Sequence, residues 1–400
     1  MKKYFFVLGS NKELSLAELS AIFPENKWQK FNSIVISEFL LELEVKSLIS
    51  SLGGIIKIGE VTKEINLANR HSLSENVKKE LIQSAKSAKR EELLGKFNFG
   101  FSFYEDVRVP GDFFKLGLAI KKDLKNIGIS SRMVTSKEKI LSSVVVEQNN
   151  LISKGLELCL ITDKKSVFLG KTLAVQPFKA LSRRDFGRPQ RDDHSGMIPP
   201  KLAQIMINLV RRDDKDYNKK TLLDPFCGSG TILTEAYLMN FKKIIGSDLS
   251  AKAISDSAKN IDWIIDWADK GKDKQKEKNI FEVFQSDILN LDDKIEKNSI
   301  DYIVCEPYLG PQRGYKNFNE VVVELNELYS KALEVFYKIL KPGGRVVMIW
   351  PQFRAEGKIW KISPDIKSFK VFPILADNND SIVYGRVEQK VWREIVVLEK

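Results

Sequence analysis

Apolar residues recur along the chain in two rhythms, and the change falls near residue 199. Ahead of it, short elements alternate between strand and helix. Residues 4–8 form an apolar run, and Ser10 or Asn11 can cap a helix over 14–23. Residues 33–36 predict a strand and 40–51 a helix, closed by Gly53-Gly54. A helix over 74–88 follows, and then Phe97, Phe99, Phe101 and Phe103 alternate at period two, which predicts a half-buried strand. A lysine-bearing helix over 113–127, a strand from Arg132, a helix over 142–150 and strands over 156–162 and 166–175 complete this half. The pattern divides it into a subdomain over 1–60 and a small α+β domain over 61–175 with a basic helical face. Residues 176–198 mix Pro, Gly and both charge signs without periodicity and predict a linker.

From Pro199 onward long helices alternate with continuous apolar strands, placed at 221–224, 243–248, 281–285, 300–305 and 345–349. Buried strands separated by helices predict a doubly wound, mostly parallel α/β sheet covered on both faces, filling residues 199–400. Residues 266–278 (DWADKGKDKQKEK) predict a solvated helix end or insert.

Charge narrows the partners. The 400 residues carry 64 Lys and Arg against 53 Asp and Glu, a formal +11, and such a surplus attracts polyanions: nucleic acid, phosphorylated ligands or an anionic membrane surface. Three cysteines (Cys159, Cys227, Cys305), none in a C-x-x-C pair, argue against a disulfide framework and a zinc ribbon. With only His71 and His194, no multi-histidine metal site is available without carboxylates, and no metal is expected; His194 beside Asp192-Asp193 predicts a surface turn. The apolar run after the basic start is too short for a signal peptide, and no window of ~18 apolar residues occurs, so the expectation is a cytoplasmic protein with no membrane segment.

The segment Leu222-Leu223-Asp224-Pro225-Phe226-Cys227-Gly228-Ser229-Gly230-Thr231 runs a buried strand into a Gly-x-Gly turn that opens a helix. Glycines there allow positive φ and close backbone approach to a ligand at the carboxyl end of the sheet. Twenty residues beyond Gly228, Asp248 ends the next strand, placed to accept hydrogen bonds from ribose hydroxyls. A dinucleotide fingerprint needs a third glycine where Leu233 stands, and a P-loop needs a lysine after Gly230, where Thr231 stands. What remains is an acid-first loop. Its carboxylate suits a ligand carrying positive charge, such as the amino group and sulfonium of S-adenosylmethionine, and repels a pyrophosphate. Asp287, at the end of the third strand, would reach the adenine amino group, with Ile288 or Leu249 packed on the ring.

The fourth strand runs into Cys305-Glu306-Pro307-Tyr308-Leu309-Gly310-Pro311. A carboxylate, a proline carbonyl and an aromatic ring together can hold an amine. Glu306 and the Pro307 carbonyl can accept from an exocyclic NH2 while Tyr308 stacks on the base. Such a clamp aims the nitrogen lone pair at a methyl donor, and the carboxylate can take the proton released.

With Pro199-Pro200-Lys201-Leu202-Ala203 opening a helix, DPFCGSGTILTEA (224–236), GSDLS (246–250), SDI (286–288) and EPYLGP (306–311), the chain resembles the THUMP-containing tRNA guanine-N2 methyltransferases. YFFVLGSNKELSLAEL (4–19), residues 116–180 with Ser130-Ser131-Arg132, and RDFGRP (184–189) extend the resemblance over nearly the whole chain. It implies a Rossmann-like class I methyltransferase fold preceded by an N-terminal α+β ferredoxin-like and THUMP region that grips the tRNA acceptor end. Family members transfer the methyl of S-adenosylmethionine, releasing S-adenosylhomocysteine, to guanine N2 at position ten of tRNA in archaea and eukaryotes. The resemblance implies a donor role for Pro200, Lys201, Asp224, Phe226, Gly228, Gly230, Thr231, Asp248, Leu249, Asp287 and Ile288, and a target-amine role for Glu306, Pro307 and Tyr308. One departure stands out. The family's fourth motif is Asp- or Asn-Pro-Pro-Tyr; here it is Cys-Glu-Pro-Tyr, so either Glu306 or Cys305 takes the acidic place.

For RNA, Arg132 on the basic face and Arg183, Arg184 and Arg188 in the linker are the candidate contacts. The partner expected is tRNA, with no protein subunit required. The same amine chemistry would serve a DNA or rRNA amino-methyltransferase, and the altered fourth motif would also suit an inactive RNA-binding homologue.

Overall fold

The protein is described by a computed structural model, which covers residues 1–67, 71–90, 95–105, 111–163, 165–191, 197–268, 277–311, 317–355, 357–366, 368–375, 381–385 and 389–400. These residues form two units, Met1–Lys12 with Glu25–Ser50 and Ile55–Phe178, and Glu13–Pro24 with Ser51–Gly54 and Lys179–Lys400. His194 and most of the charged 266–278 stretch lie outside the described residues.

In the first unit, β1 (Lys2–Leu8), β2 (Gln29–Lys30), β3 (Ile34–Phe39), β4 (Ile55–Asn66), β5 (Phe97–Glu105), β6 (Ser131–Val134), β7 (Gly155–Thr162) and β8 (Ser166–Val175) form one sheet in the order β2-β3-β1-β4-β8-β7-β5-β6. The long strand β4 pairs antiparallel with β1 on one side and β8 on the other. A single sheet therefore spans residues that the sequence pattern divides at 60. The helices along the chain are α1 (Lys12–Ile22), α2 (Val45–Ser51), α3 (His71–Arg90), α4 (Phe113–Asn126) and α5 (Ser143–Gln148). The Asp112 carboxylate caps α4, accepting from the Lys115 amide at 3.0 Å.

The phenylalanine alternation on β5 marks a strand covered on both faces, not a half-buried one. Phe97, Phe99 and Phe101 enter an apolar cluster with α3 and α4. The intervening Ser102 is equally buried, donating to Glu157 Oε1 at 2.5 Å and accepting from the Leu141 amide at 2.9 Å. Glu157 also accepts from Lys57 Nζ at 2.6 Å and from the Thr172 hydroxyl at 2.6 Å. The ion pair is almost wholly removed from water, with side-chain exposures of 2% and 0%.

The second unit is built on β9 (Thr221–Asp224), β10 (Lys243–Asp248), β11 (Phe281–Gln285), β12 (Ile300–Cys305), β13 (Leu340–Ala355), β14 (Lys358–Lys361), β15 (Lys370–Val371), β16 (Ser381–Tyr384) and β17 (Val391–Glu399). The main order is β11-β10-β9-β12-β13-β17-β15, with β14 on β13 and β16 on β17. Strands β9 to β13 pair in parallel and β17 antiparallel to β13. Successive strand residues enter opposite cores: Leu222, Ile244, Val304 and Val347 one, Leu223, Ile245, Ile303 and Met348 the other. That is the doubly wound sheet the continuous apolar runs require. Its helices are α6 (Phe178–Phe186), α7 (Pro200–Arg211), α8 (Thr231–Leu238), α9 (Ala251–Ala268) and α10 (Phe318–Ile339).

Two boundaries differ from the sequence reading. Nearly all of α1 belongs to this second unit: Leu14, Ala17 and Ala21 share a core with Leu202, Met206 and Leu209 of α7. Between them Glu18 is fully buried and accepts from the amides of Gly53 (2.9 Å) and Gly54 (2.8 Å) and from Asn208 Nδ2 (2.7 Å). A Cβ on Gly53 would lie 2.0 Å from the Lys201 carbonyl oxygen, so the approach requires glycine. The predicted linker also holds α6, most of which packs within the second unit.

Replacing Lys57 by Met leaves Glu157 buried with two hydroxyls and no cation. The expected loss of unfolding free energy is about 3–5 kcal/mol, read from urea denaturation of Lys57→Met against the wild type.

Candidate active site

The sheet changes direction at β9: the chain moves outward to β10 and β11, then returns to β12 on the other side. Such a switch leaves a crevice beyond the strand carboxyl ends, where open α/β sheets bind ligands. Carboxylates stand there on four successive strand ends: Asp224 as the last residue of β9, Asp248 as the last of β10, Asp287 two residues past β11, and Glu306 one past β12.

Asp224 is buried and accepts from the Phe226 amide at 3.1 Å. Burial, and then the negative charges of Asp248 and Glu306, push its carboxyl well above the ordinary range. The glycine turn is fixed from both sides. Asp248 accepts from the amides of Gly228 (3.0 Å) and Ser250 (2.9 Å), and the Ser257 hydroxyl on α9 donates to the Gly228 carbonyl at 2.7 Å. Gly228 and Gly230 have φ of +52° and +83°, in the left-handed region that favours glycine. A Cβ on Gly228 would meet nothing within 4 Å, so the turn faces open space; one on Gly230, the N-cap of α8, would press on Ser257 Oγ at 3.0 Å. The turn thus presents backbone to a ligand on one side and packs tightly on the other.

The remaining donor candidates divide by exposure. Leu249 is 67% exposed beside Asp248, available to an adenine ring, whereas Ile288 is taken up by the core. Asp287 caps the short helical turn after it, accepting from the Leu289 amide at 3.0 Å. Phe226 is half-buried against the core. Pro200 is the buried first residue of α7, and Lys201 beside it is exposed.

At the fourth strand end Cys305 is fully buried in the core, and burial pushes its thiol well above the ordinary range. Glu306, next along, pairs with Arg393 of β17, Nε to Oε1 at 2.5 Å, with both side chains 12% exposed. Of the two candidates for the acidic place in the fourth motif, Cys305 is enclosed by the core and Glu306 carries the charge at the strand end. Pro307 is buried, and Tyr308 is 58% exposed with its carbonyl held by the hydroxyl of buried Tyr329 on α10 at 3.2 Å. Gly310, with φ +89°, closes the turn against Phe353 and Val321.

The arginine expectations need correction. Arg184 and Arg188 are buried, not displayed to RNA. Arg184 makes two hydrogen bonds to Glu235 of α8, Nε to Oε1 at 2.6 Å and Nη2 to Oε2 at 3.2 Å. Arg188 donates from Nη1 to the Thr231 hydroxyl at 2.5 Å. Asn260 of α9 adds hydrogen bonds to the Gln190 backbone and to the Ser229 carbonyl. These arginines brace the helix behind the glycine turn; a carboxylate inside α8 answered by a cation 51 residues upstream carries no periodicity to reveal it. Thr231 is likewise buried against Arg188. Arg183, stacked over Trp267 at 5.9 Å, and Arg132 on β6 are the two candidates that remain exposed.

The strand order, with its switch point at β9, is that of the Rossmann-like class I methyltransferase fold. Residues 188–375 match UPF0020, described as RMKL-like, methyltransferase domain. The tRNA (guanine(10)-N2)-dimethyltransferase of Methanothermobacter thermautotrophicus is 30% identical over 204 residues, 48% of this chain and 49% of that protein. The enzyme of the same name from Methanocaldococcus jannaschii is 32% identical over 191 residues, 46% of this chain and 48% of its own. The chain spans about half the length of these curated relatives. TrmN from Thermus thermophilus shares the fold along the whole chain, with TM-score 0.52, 18% identity, and coverage of 100% of this chain and 99% of that one. Among the described residues no helix is long and apolar enough to cross a membrane, and no cluster of three or more His, Cys, Asp or Glu could hold a metal ion.

Because the space before Gly228 is open, Gly228→Ala should cost about 1–2 kcal/mol of stability through its left-handed backbone alone. The added methyl intrudes where the ligand would lie. Calorimetry with S-adenosylhomocysteine should show affinity lowered at least about tenfold, or about 1.4 kcal/mol.

Proposed function

We propose that this protein transfers a methyl group from S-adenosylmethionine to the exocyclic N2 of guanosine in tRNA. The observation that carries the reading is the convergence of Asp224, Asp248 and Glu306. Burial and mutual repulsion leave Asp224 holding its negative charge at a cost, which a cationic ligand relieves. The open space before Gly228 leaves room for such a ligand. S-adenosylmethionine fits this acidic, glycine-floored crevice and, when bound, supplies the transferable methyl.

Asp248 would hold the ribose hydroxyls with the carboxylate capacity left beyond its two amide bonds, and Leu249 would cover the adenine. At the acceptor side, Glu306 Oε2 accepts no hydrogen bond from any described residue and is available to a substrate N–H. Glu306 and the Pro307 carbonyl orient the amine, and Glu306 takes the proton as the new N–C bond forms. Tyr308 offers an exposed ring on which a guanine taken out of its stack could lie. The names of the curated relatives support guanine N2 of tRNA as the acceptor. RNA would be gripped by the first unit, where Lys115, Lys121, Lys122 and Lys125 of α4 lie exposed with Phe114 and Leu118, and by Arg132 and Arg183.

Incubation with labelled S-adenosylmethionine and unmodified tRNA, followed by mass spectrometry of nucleosides, should give N2-methylated guanosine. Glu306→Ala should lower that rate at least ~100-fold with S-adenosylhomocysteine binding retained. Label incorporated into DNA and into no RNA would overturn the reading.

A further inference from the structure

Arg393 lies outside the residues matched to the methyltransferase family, and its place on the sheet gives it a task at the acceptor site. It stands on β17, paired in register with Pro351 of β13 and Tyr384 of β16. Since β13 separates β17 from β12, the two outer strands run roughly 10 Å apart, and only a long side chain reaches from one to the end of the other. Arg393 does so and places Nε 2.5 Å from Glu306 Oε1, with 12% exposure on each side. Among the described residues this is the one hydrogen bond that either side chain makes.

The charges around Glu306 give the contact its meaning. On β9, Asp224 is pushed toward its protonated form first by burial and then by Asp248 and Glu306, so charge on the neighbouring strand ends disfavours the Glu306 carboxylate there. From α10 and β12, Tyr329 and Cys305 face the same region, both buried and held neutral. Among the described residues, Arg393 is the cation that answers Glu306. Glutamate has one more rotatable bond than the aspartate or asparagine of related fourth motifs, and an untethered carboxylate there would swing away from its like-charged neighbours. A charge-assisted bond to one oxygen fixes the carboxylate and leaves the other oxygen for a substrate N–H.

We infer that Arg393 is the positioning residue for Glu306: it compensates for glutamate in the fourth motif by locking one carboxylate oxygen and presenting the other to the acceptor amine. The inference rests on the amine-methylating reading of this site.

The test compares full-length wild type, Arg393→Met, Arg393→Lys and the double variant Arg393→Met/Glu306→Gln. Removing the tether should lower kcat on the order of 100-fold, the cost of misplacing a reacting group by roughly 1 Å. The tRNA KM and the affinity for S-adenosylhomocysteine should stay within about twofold, since neither binding step uses the tether. Lysine should restore part of kcat, and the methionine change should cost nothing further once Glu306 is Gln. A crystal structure of Arg393→Met should show the Glu306 carboxylate displaced; if that variant does not fold, Arg393→Lys supplies the same comparison. Unchanged kcat or an unmoved Glu306 in Arg393→Met, or, where that variant does not fold, a wild-type kcat in Arg393→Lys, would overturn the inference. A wild type that methylates no RNA would overturn the proposed function instead, and the position of Glu306 in the variant crystal would still decide the role of Arg393.

Discussion

Like charge gathered where water is scarce is the constraint that organises the second unit. Asp224, Asp248 and Glu306 sit on adjacent strand ends, and the burial that makes the sheet stable makes Asp224 costly to ionise. The surrounding structure keeps the carboxylates in place by several separate means. Backbone amides hold Asp248, a single amide holds Asp224, and a guanidinium from the far side of the sheet holds Glu306. Among the described residues, positive charge is thus supplied to Glu306 and not to Asp224 or Asp248.

That division gives the two halves of the site different tolerances. The glycine turn is held by Asp248, by Ser257 and by the Asn260 bridges to Ser229 and Gln190, so its shape is over-determined. Arg184 and Arg188 extend the same bracing to α8. The acceptor side rests on fewer contacts: one ion pair to Glu306 and one hydroxyl to the Tyr308 carbonyl. In the proposed reaction, a glycine turn preset by many bonds would take the small, invariant ligand and a strand end held by two would take a base presented by a macromolecule.

What the sequence made legible was whatever a strand announces locally. Continuous apolar runs placed β9 to β13, and the acid-first glycine loop and Glu306-Pro307-Tyr308 were readable because each is contiguous. Partners brought together by topology were not. Arg393 meets Glu306 only because β17 inserts antiparallel beside β13, and no spacing of 87 residues predicts that. Arg184 and Arg188 looked like surface charges because a cation's burial depends on a carboxylate elsewhere, here Glu235 inside an apolar helix. The phenylalanine alternation on β5 located a strand correctly, but its polar face proved to be an interior ion-pair network, since period two shows that two faces differ and not that one is wet. The sequence pattern divides the chain at 60, soon after Gly53-Gly54 close a helix, whereas β4 is the strand that joins both parts of one sheet.

The position of α1 has a consequence for biosynthesis. Glu18 is made early, but Asn208, which satisfies part of its carboxylate, is added 190 residues later. An apolar helix face bearing Leu14, Ala17 and Ala21 must therefore wait through the synthesis of the entire first sheet before α7 exists to cover it. Ribosomal order and folding order part company here: a helix made before the first sheet is seated only after that sheet has been synthesised.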